Sequence, residues 1–248
     1  MNKILDLLYL NNCFRLAIYF LKIFSFFNNH YKNKLLFFNY FKKRKKKFDK
    51  QILQILRTPR VFIIKFPNDA QNIINKIYNY EELYKKNEFS NDGHYNVYQS
   101  GHNLNKDHNF FEISRDLESF INFKLKKFIK DKKLRIYKLW FVITKDSGLI
   151  KRHSHFNSEF SGIYYLNVEK NHEDNNGLKL YNDFENLEIY TYSEKENKFN
   201  LELIEKKILL IKPSKNDLII FNSYIEHSVE NKNSKINDRI TLPFDLIF

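Results

Sequence analysis

Cysteine occurs once in the 248 residues, at Cys13, which excludes an internal disulfide framework and any all-protein thiolate metal centre. One thiol fits a reducing compartment such as the cytoplasm, and on an apolar stretch it reads as a small packing residue. Glycine (5) and proline (4) are also scarce beside abundant Lys, Asn, Ile and Phe, a bias typical of AT-rich coding sequence that says little about function. A clean membrane span is missing too. The apolar stretch Ile4 to Phe27 is interrupted by Asp6, Asn11, Asn12, Arg15 and Lys22, short of the roughly 20 apolar residues a span needs. No small-residue cleavage site follows it, so a secretory signal is not expected.

Positive charge is plentiful but uneven. The net charge is +13, yet residues 1–50 hold twelve Lys or Arg against Asp6 and Asp49, a local +10 that leaves only +3 for residues 51–248. Proteins that track a phosphate backbone spread basic residues over a folded face, so no nucleic-acid role is expected of the body. The basic run Lys42 to Lys47 behind an apolar segment predicts a helical N-terminal extension, residues 1–50, suited to peripheral contact with an anionic membrane; a partner-bound or poorly ordered extension is the alternative.

From Arg60 the pattern is that of a folded domain, residues 51–248. Val61 to Phe66 reads as a strand stopped by Pro67, and Asn68 as the cap of a helix with apolar positions Ile73, Ile74, Ile77 and Tyr80. Residues 87–109 read as a long loop, and a second helix is expected after Ser114. Beyond Lys133 the apolar period shortens to two. Strands are expected at 134–144, 149–155, 161–168, 178–181, 187–192, 201–211, 217–221, 226–230 and 240–247. Helical support (51–132) followed by a run of strands (133–248) predicts an α+β domain with helices packed outside an antiparallel sandwich or barrel.

Three of the eight histidines stand in a metal-ligand relation. Residues two apart on a strand share a face, so His153 and His155 can approach one ion, with His227 brought to them by fold closure. Imidazole suits Fe, Zn, Cu or Ni, and His-x-His alone is as compatible with two surface imidazoles as with a metal site.

The surrounding residues carry a family resemblance. His153-Ser-His-Phe-Asn-Ser-Glu-Phe-Ser-Gly-Ile-Tyr-Tyr-Leu-Asn167, Pro213 to His227, His227-Ser-Val-Glu-Asn231 and Asp238-Arg-Ile-Thr-Leu-Pro-Phe244 resemble, in order, the metal strands of Fe(II)- and 2-oxoglutarate-dependent oxygenases. The relatives in view include the prolyl hydroxylases and the oxygenases of marine bacteria and their phages. The resemblance covers Trp140 to Phe248, and Val97-Tyr-Gln-Ser100 resembles an upstream segment more faintly. It implies a double-stranded β-helix (a jelly-roll or cupin-like barrel) with flanking helices, and Fe(II), 2-oxoglutarate and O₂ as cofactor and cosubstrates, with ascorbate as an accessory reductant. It implies hydroxylation of a small-molecule or peptide substrate. It also implies roles: His153, His155 and His227 as metal ligands, Arg239 paired with the far carboxylate of 2-oxoglutarate, and Thr241 and Tyr165 hydrogen-bonded to that carboxylate. Tyr164, Phe221 and Phe244 are expected in the core, Trp140 in the core or beside the cosubstrate, and His30, His94, His102, His108 and His172 in solvent.

One residue departs from the family pattern: His155 stands where most of the superfamily has a carboxylate. With Glu159 as a fourth ligand, and with Asn231 after His227, the same residues also match parts of cupin motifs. A third reading is a catalytically inactive barrel that works as a membrane-associated interaction module.

Overall fold

The computed structural model describes residues 59–84, 95–129, 132–155, 157–168, 177–182, 187–192, 200–204, 207–231 and 238–248, all within the compact unit Gln51–Phe248. The predicted extension at 1–50, Cys13, and His30, His94 and His172 lie outside them. Twelve strands run β1 Arg60–Lys65, β2 Tyr95–Gln99, β3 Arg135–Leu139, β4 Val142–His153, β5 Phe160–Asn167, β6 Gly177–Tyr181, β7 Glu188–Tyr192, β8 Asn200–Ile204, β9 Ile208–Lys212, β10 Asp217–Asn222, β11 Glu226–Asn231 and β12 Arg239–Ile247. Helices α1 (Ala70–Tyr84), α2 (Phe111–Lys124) and α3 (Lys126–Ile129) precede the strand-rich half. Among the described residues no helix is long and apolar enough to cross a membrane.

The strands form one sheet in the order β7-β1-β10-β5-β12-β4-β11-β6-β9-β8, with β2 paired to β4 and β3 to β12. Except for the parallel β1–β7 pair, the ladders are antiparallel. The sheet curls upon itself, as the packing shows. Val61 and Ile63 of β1, Ile163 and Tyr165 of β5, and Ile219 and Phe221 of β10 share one buried cluster with Leu178 and Leu180 of β6, Leu209 and Ile211 of β9 and Val229 of β11. These strands are far apart in the sheet order, so only a rolled sheet brings them together.

Alternation sends the intervening side chains the other way. Phe62 and Ile64, Tyr164 and Leu166, Leu218 and Ile220, and Ile240, Leu242, Phe244 and Leu246 pack with Ile73, Ile77, Leu117 and Ile121 of the helices in a second cluster. Strands β1, β5 and β10 place apolar residues on both faces, one toward the helices and one toward the rolled interior. On β12 this parity has a functional consequence: with the even-numbered residues against the helices, Arg239, Thr241 and Asp245 face inward, all three buried.

Several boundaries differ from the sequence reading. The 134–144 strand is two, because Trp140 N–H donates to Pro243 O and Phe141 N–H to Ser100 Oγ, which breaks the ladder after Leu139. The 149–155 strand is the end of β4, whose β2 partners skip from Leu149 to Thr144, so the expected turn survives as a bulge inside one strand, with Ser147 at φ 57°. The 201–211 run is the β8–β9 hairpin, Leu203 opposite Leu209. The long loop contains β2 and a 3-10 turn at Leu104–Lys106. Helix α1 is capped by Asp69 rather than Asn68, its Oδ1 accepting from Gln71 N–H at 3.0 Å, and α2 begins three residues before Ser114.

Three ladder irregularities flank inward-facing residues: between His227 and Val229 against β4, between Ile240 and Thr241 against β5, and between Asp245 and Leu246 against β3. In each the partner strand carries an extra residue. Such bulges re-aim side chains and increase local twist, and they concentrate beside active sites.

Candidate active site

His153 and His227 are direct cross-strand partners on β4 and β11, their ring centroids 4.2 Å apart. The corrected point is His155. It lies beyond the end of β4, so strand parity does not place it; its backbone N–H donates to Ser223 O at 2.8 Å, Ser158 Oγ donates to its carbonyl, and Ser223 Oγ donates to Ser158 O. This bracing of two turns turns the ring inward, 5.1 Å from His153 and 5.2 Å from His227. One nitrogen from each of the three rings falls within 4.8 Å of the others.

Every ring in this trio has Nδ1 turned toward an oxygen. His153 Nδ1 is 2.7 Å from Lys151 O, His155 Nδ1 is 2.7 Å from Asp245 Oδ1, and His227 Nδ1 is 3.3 Å from Ile225 O. An acceptor at Nδ1 selects the tautomer with the proton there and the lone pair on Nε2, the arrangement metal-binding histidines use. Three neutral imidazoles whose Nε2 lone pairs converge are a donor set for a borderline transition metal.

Burial keeps His227 neutral. His227, 5 % exposed, has its pKa pulled well below the imidazole norm by desolvation first and by His153 and His155 second, against a small upward contribution from the Ile225 carbonyl. Below about pH 6.5 the unfolded chain protonates this residue while the folded chain does not, so the unfolded state binds more protons and stability falls with falling pH. Denaturant unfolding of metal-free protein should therefore lose up to about 1.4 kcal/mol per pH unit from this group below that point. His227→Gln should flatten the slope.

A second polar group is buried near β11. Arg239 is 3 % exposed, and its Nη1 donates to Glu230 O at 3.3 Å while Nε and Nη2 are buried without a hydrogen-bond partner. No carboxylate among the described residues forms an ion pair with it. The Tyr165 hydroxyl is likewise buried and unsatisfied. The guanidinium carbon stands 5.3 Å from the Tyr165 ring centroid, close enough for the two groups to interact electrostatically. Burial raises the Tyr165 phenol to about 12 despite the downward pull of Arg239, so it is a donor at neutral pH. Burial lowers the Arg239 pKa, but a guanidinium starts high enough to remain charged. Thr241, also buried, is the cross-strand partner of Tyr165.

A buried cation with two unmet donors, next to an unmet phenol, fits an incoming carboxylate. Glu230 is three residues from His227 on β11, roughly 10 Å along a strand, a spacing that a short dicarboxylate could span if one end were held by a metal at the histidines.

Other expectations are refined. Glu159 is buried but is not in the histidine cluster, so a four-ligand cupin set is not assembled. The Asn231 amide donates to Thr144 O and Lys145 O and joins β11 to β4. Tyr164, Phe221 and Phe244 are fully buried as expected, and His108 is exposed. His102 is not in solvent: it is half-buried, 2.7 Å from Gln99 Nε2, with its ring 4.9 Å from Trp140. Trp140 is buried as expected, with its ring 5.8 Å from that of His155. Asp245 is the residue the sequence reading passed over, although its parity with Arg239 and Thr241 on one strand signalled an inward position. Burial pushes its carboxyl up, but hydrogen bonds from His155 and Ser161, with the charge of Lys138, outweigh this and leave it below the ordinary carboxylate range.

A rolled antiparallel sheet with three imidazoles at one end of its interior and a buried guanidinium deeper along it defines a double-stranded β-helix protein with a metal-type site. Residues 138–245 match the family described as "Putative 2OG-Fe(II) oxygenase". No curated protein sequence matches the chain. Among solved structures, the fold is similar to HygX from Streptomyces hygroscopicus, crystallised with nickel, 2-oxoglutarate and hygromycin B (TM-score 0.51, 12% identity, 78% of this chain and 85% of that one). It is also similar to the epimerase SnoN in complex with Fe3+, alpha ketoglutarate and nogalamycin RO (TM-score 0.52, 9% identity, 80% and 83%).

Proposed function

We propose that this protein is an Fe(II)- and 2-oxoglutarate-dependent dioxygenase in which His153, His155 and His227 hold the iron and Arg239, Thr241 and Tyr165 hold the far carboxylate of the cosubstrate. The observation that carries the reading is the pairing of two complementary features in one interior. Three imidazoles converge with each Nδ1 turned to an oxygen, and a buried guanidinium in the same interior has donors to which a carboxylate is complementary. The family match at 138–245 supports the same cofactor and cosubstrate.

Iron, when bound, supplies the dioxygen chemistry that the side chains cannot perform, coupled to oxidative decarboxylation of 2-oxoglutarate to succinate and CO₂. The chain supplies placement. His153, His155 and His227 would hold the iron and would leave its other positions to the cosubstrates. Arg239 and the Tyr165 hydroxyl orient the cosubstrate from its far end, Thr241 adds a hydroxyl beside them, and the apolar interior around Val229, Leu180 and Phe221 excludes water. Hydroxylation is the outcome we assign, on a small-molecule or peptide substrate; the likeness to an epimerase shows that the fold does not by itself select the outcome. The single cysteine favours action in a reducing compartment such as the cytoplasm, with residues 1–50 as a basic surface contact outside the oxygenase domain.

Purified protein supplied with Fe(II) and ascorbate should bind 2-oxoglutarate saturably and convert it slowly to succinate without a main substrate. Isothermal titration and succinate detection check this. Absence of any 2-oxoglutarate binding by iron-loaded wild type overturns the reading.

A further inference from the structure

The carboxylate that most of the superfamily places directly on the metal has a counterpart one bond further out. Asp245, on β12, is 4 % exposed, and its Oδ1 lies 2.7 Å from His155 Nδ1 and 2.8 Å from Ser161 Oγ, with Ser161 its cross-strand partner on β5. The ladder irregularity after Asp245 falls at this rung, and the His155 backbone is independently bolted to Ser223. The ring is thus held by its backbone on one side and by a buried anion on the other.

We propose that Asp245 is a positioning residue that substitutes for the absent carboxylate ligand, holding His155 in the Nδ1–H tautomer and lending its Nε2 the donor strength of an anion-backed imidazole. The inference rests on the histidine trio being the metal site. Three neutral imidazoles alone would leave a divalent ion with its full double charge in a buried site, which is costly. The Asp245–His155 pair places one negative charge next to the coordination sphere, so the net charge of the site equals that of a two-histidine, one-carboxylate set. The Nδ1 atoms of His153 and His227 face backbone carbonyls, whereas that of His155 faces a carboxylate. The Ser161 hydroxyl, as a second donor to Oδ1, fixes the carboxylate and aims it at the ring.

The test uses Co(II) as the probe, with its dissociation constant measured by competition with a chromogenic chelator and its visible ligand-field spectrum recorded; no turnover is needed. In Asp245→Asn the amide presents no net charge and can donate to Nδ1, favouring the wrong tautomer. Binding should weaken about 10- to 100-fold, as for other outer-shell partners of metal-bound histidines, with a shifted spectrum. A His155→Asp background separates this effect from simple damage. With a carboxylate supplied directly to the metal, adding Asp245→Asn should change affinity by less than about threefold, the non-additivity expected of coupled residues. Equal losses in both backgrounds mean a structural role only and overturn the inference, as does a single variant that binds Co(II) with wild-type affinity and spectrum. Wild type that fails to bind Co(II) at all overturns the metal-site reading itself and this inference with it.

Discussion

His227→Ala should remove metal binding and all 2-oxoglutarate turnover while leaving a folded protein. His227 is the hinge of the trio: it is the cross-strand partner of His153, faces His155 across 5.2 Å, and is the most buried of the three. Truncation leaves two nitrogens, one on the last residue of β4 and one on a braced turn, with no third ligand to close the face. Loss of an outer-shell partner already costs roughly 10- to 100-fold in metal affinity, so loss of the innermost ligand should exceed 100-fold, and decarboxylation should fall to background. The fold has little reason to fail. The imidazole packs edge-on against Phe221 at 5.0 Å but contributes no ladder bond through its ring, and neighbouring Val229 and Ile225 keep the wall apolar. Thermal unfolding with and without Fe(II) or Co(II) reads the result directly. Wild type should gain stability with metal in proportion to ligand saturation, and the variant should show no shift. A variant that keeps its metal-dependent shift would remove His227 from the site.

The parts of this architecture legible in the sequence are those where one periodicity dominated. On β12 the run Arg239-Ile-Thr-Leu-Pro-Phe-Asp-Leu-Ile247 alternates strictly, which sends Arg239 and Thr241 to one face and Ile240, Leu242 and Phe244 to the other, and the packing follows that division. Asp245 obeyed the same rule. It was passed over because a charged residue near a strand end reads as solvent-facing, and only the partner ring of His155 explains its burial. His155 shows the opposite failure: the period-two rule gave the right face for the wrong reason, since the ring is aimed by hydrogen bonds among Ser158, Ser223 and the His155 backbone that no local pattern encodes. Strand β2 and the half-burial of His102 were hidden because Tyr95 to Gln99 is a short, partly exposed strand within a polar stretch, and its pairing with β4 is long-range. The β8–β9 hairpin was hidden because Leu201 to Ile204 and Ile208 to Ile211 read as one largely apolar run.

Arg239→Met should reverse the ranking of two stabilities, and this separates a binding residue from a structural one. The buried guanidinium has one weak hydrogen bond, two unmet donors and no acid partner among the described residues. A desolvated charge without compensation is costly, and replacing buried ionic groups with apolar ones of similar volume is often neutral or stabilising by about 1–4 kcal/mol. Without 2-oxoglutarate the variant should therefore be at least as stable as wild type. With iron and saturating 2-oxoglutarate the order should invert. Wild type should gain about 2.7 kcal/mol at a ligand concentration 100 times its dissociation constant. The variant should gain almost nothing, because loss of a charge-assisted, two-pronged contact to the far carboxylate costs about 2–5 kcal/mol, a 30-fold or larger loss of affinity. Metal affinity measured without 2-oxoglutarate should be unchanged, since Arg239 touches none of the three imidazoles. Arg239→Lys should recover little, because an ammonium cannot present two parallel donors to one carboxylate. If Arg239→Met instead lowers stability equally with and without 2-oxoglutarate, the guanidinium is holding the barrel together rather than waiting for an acid, and the cosubstrate role falls.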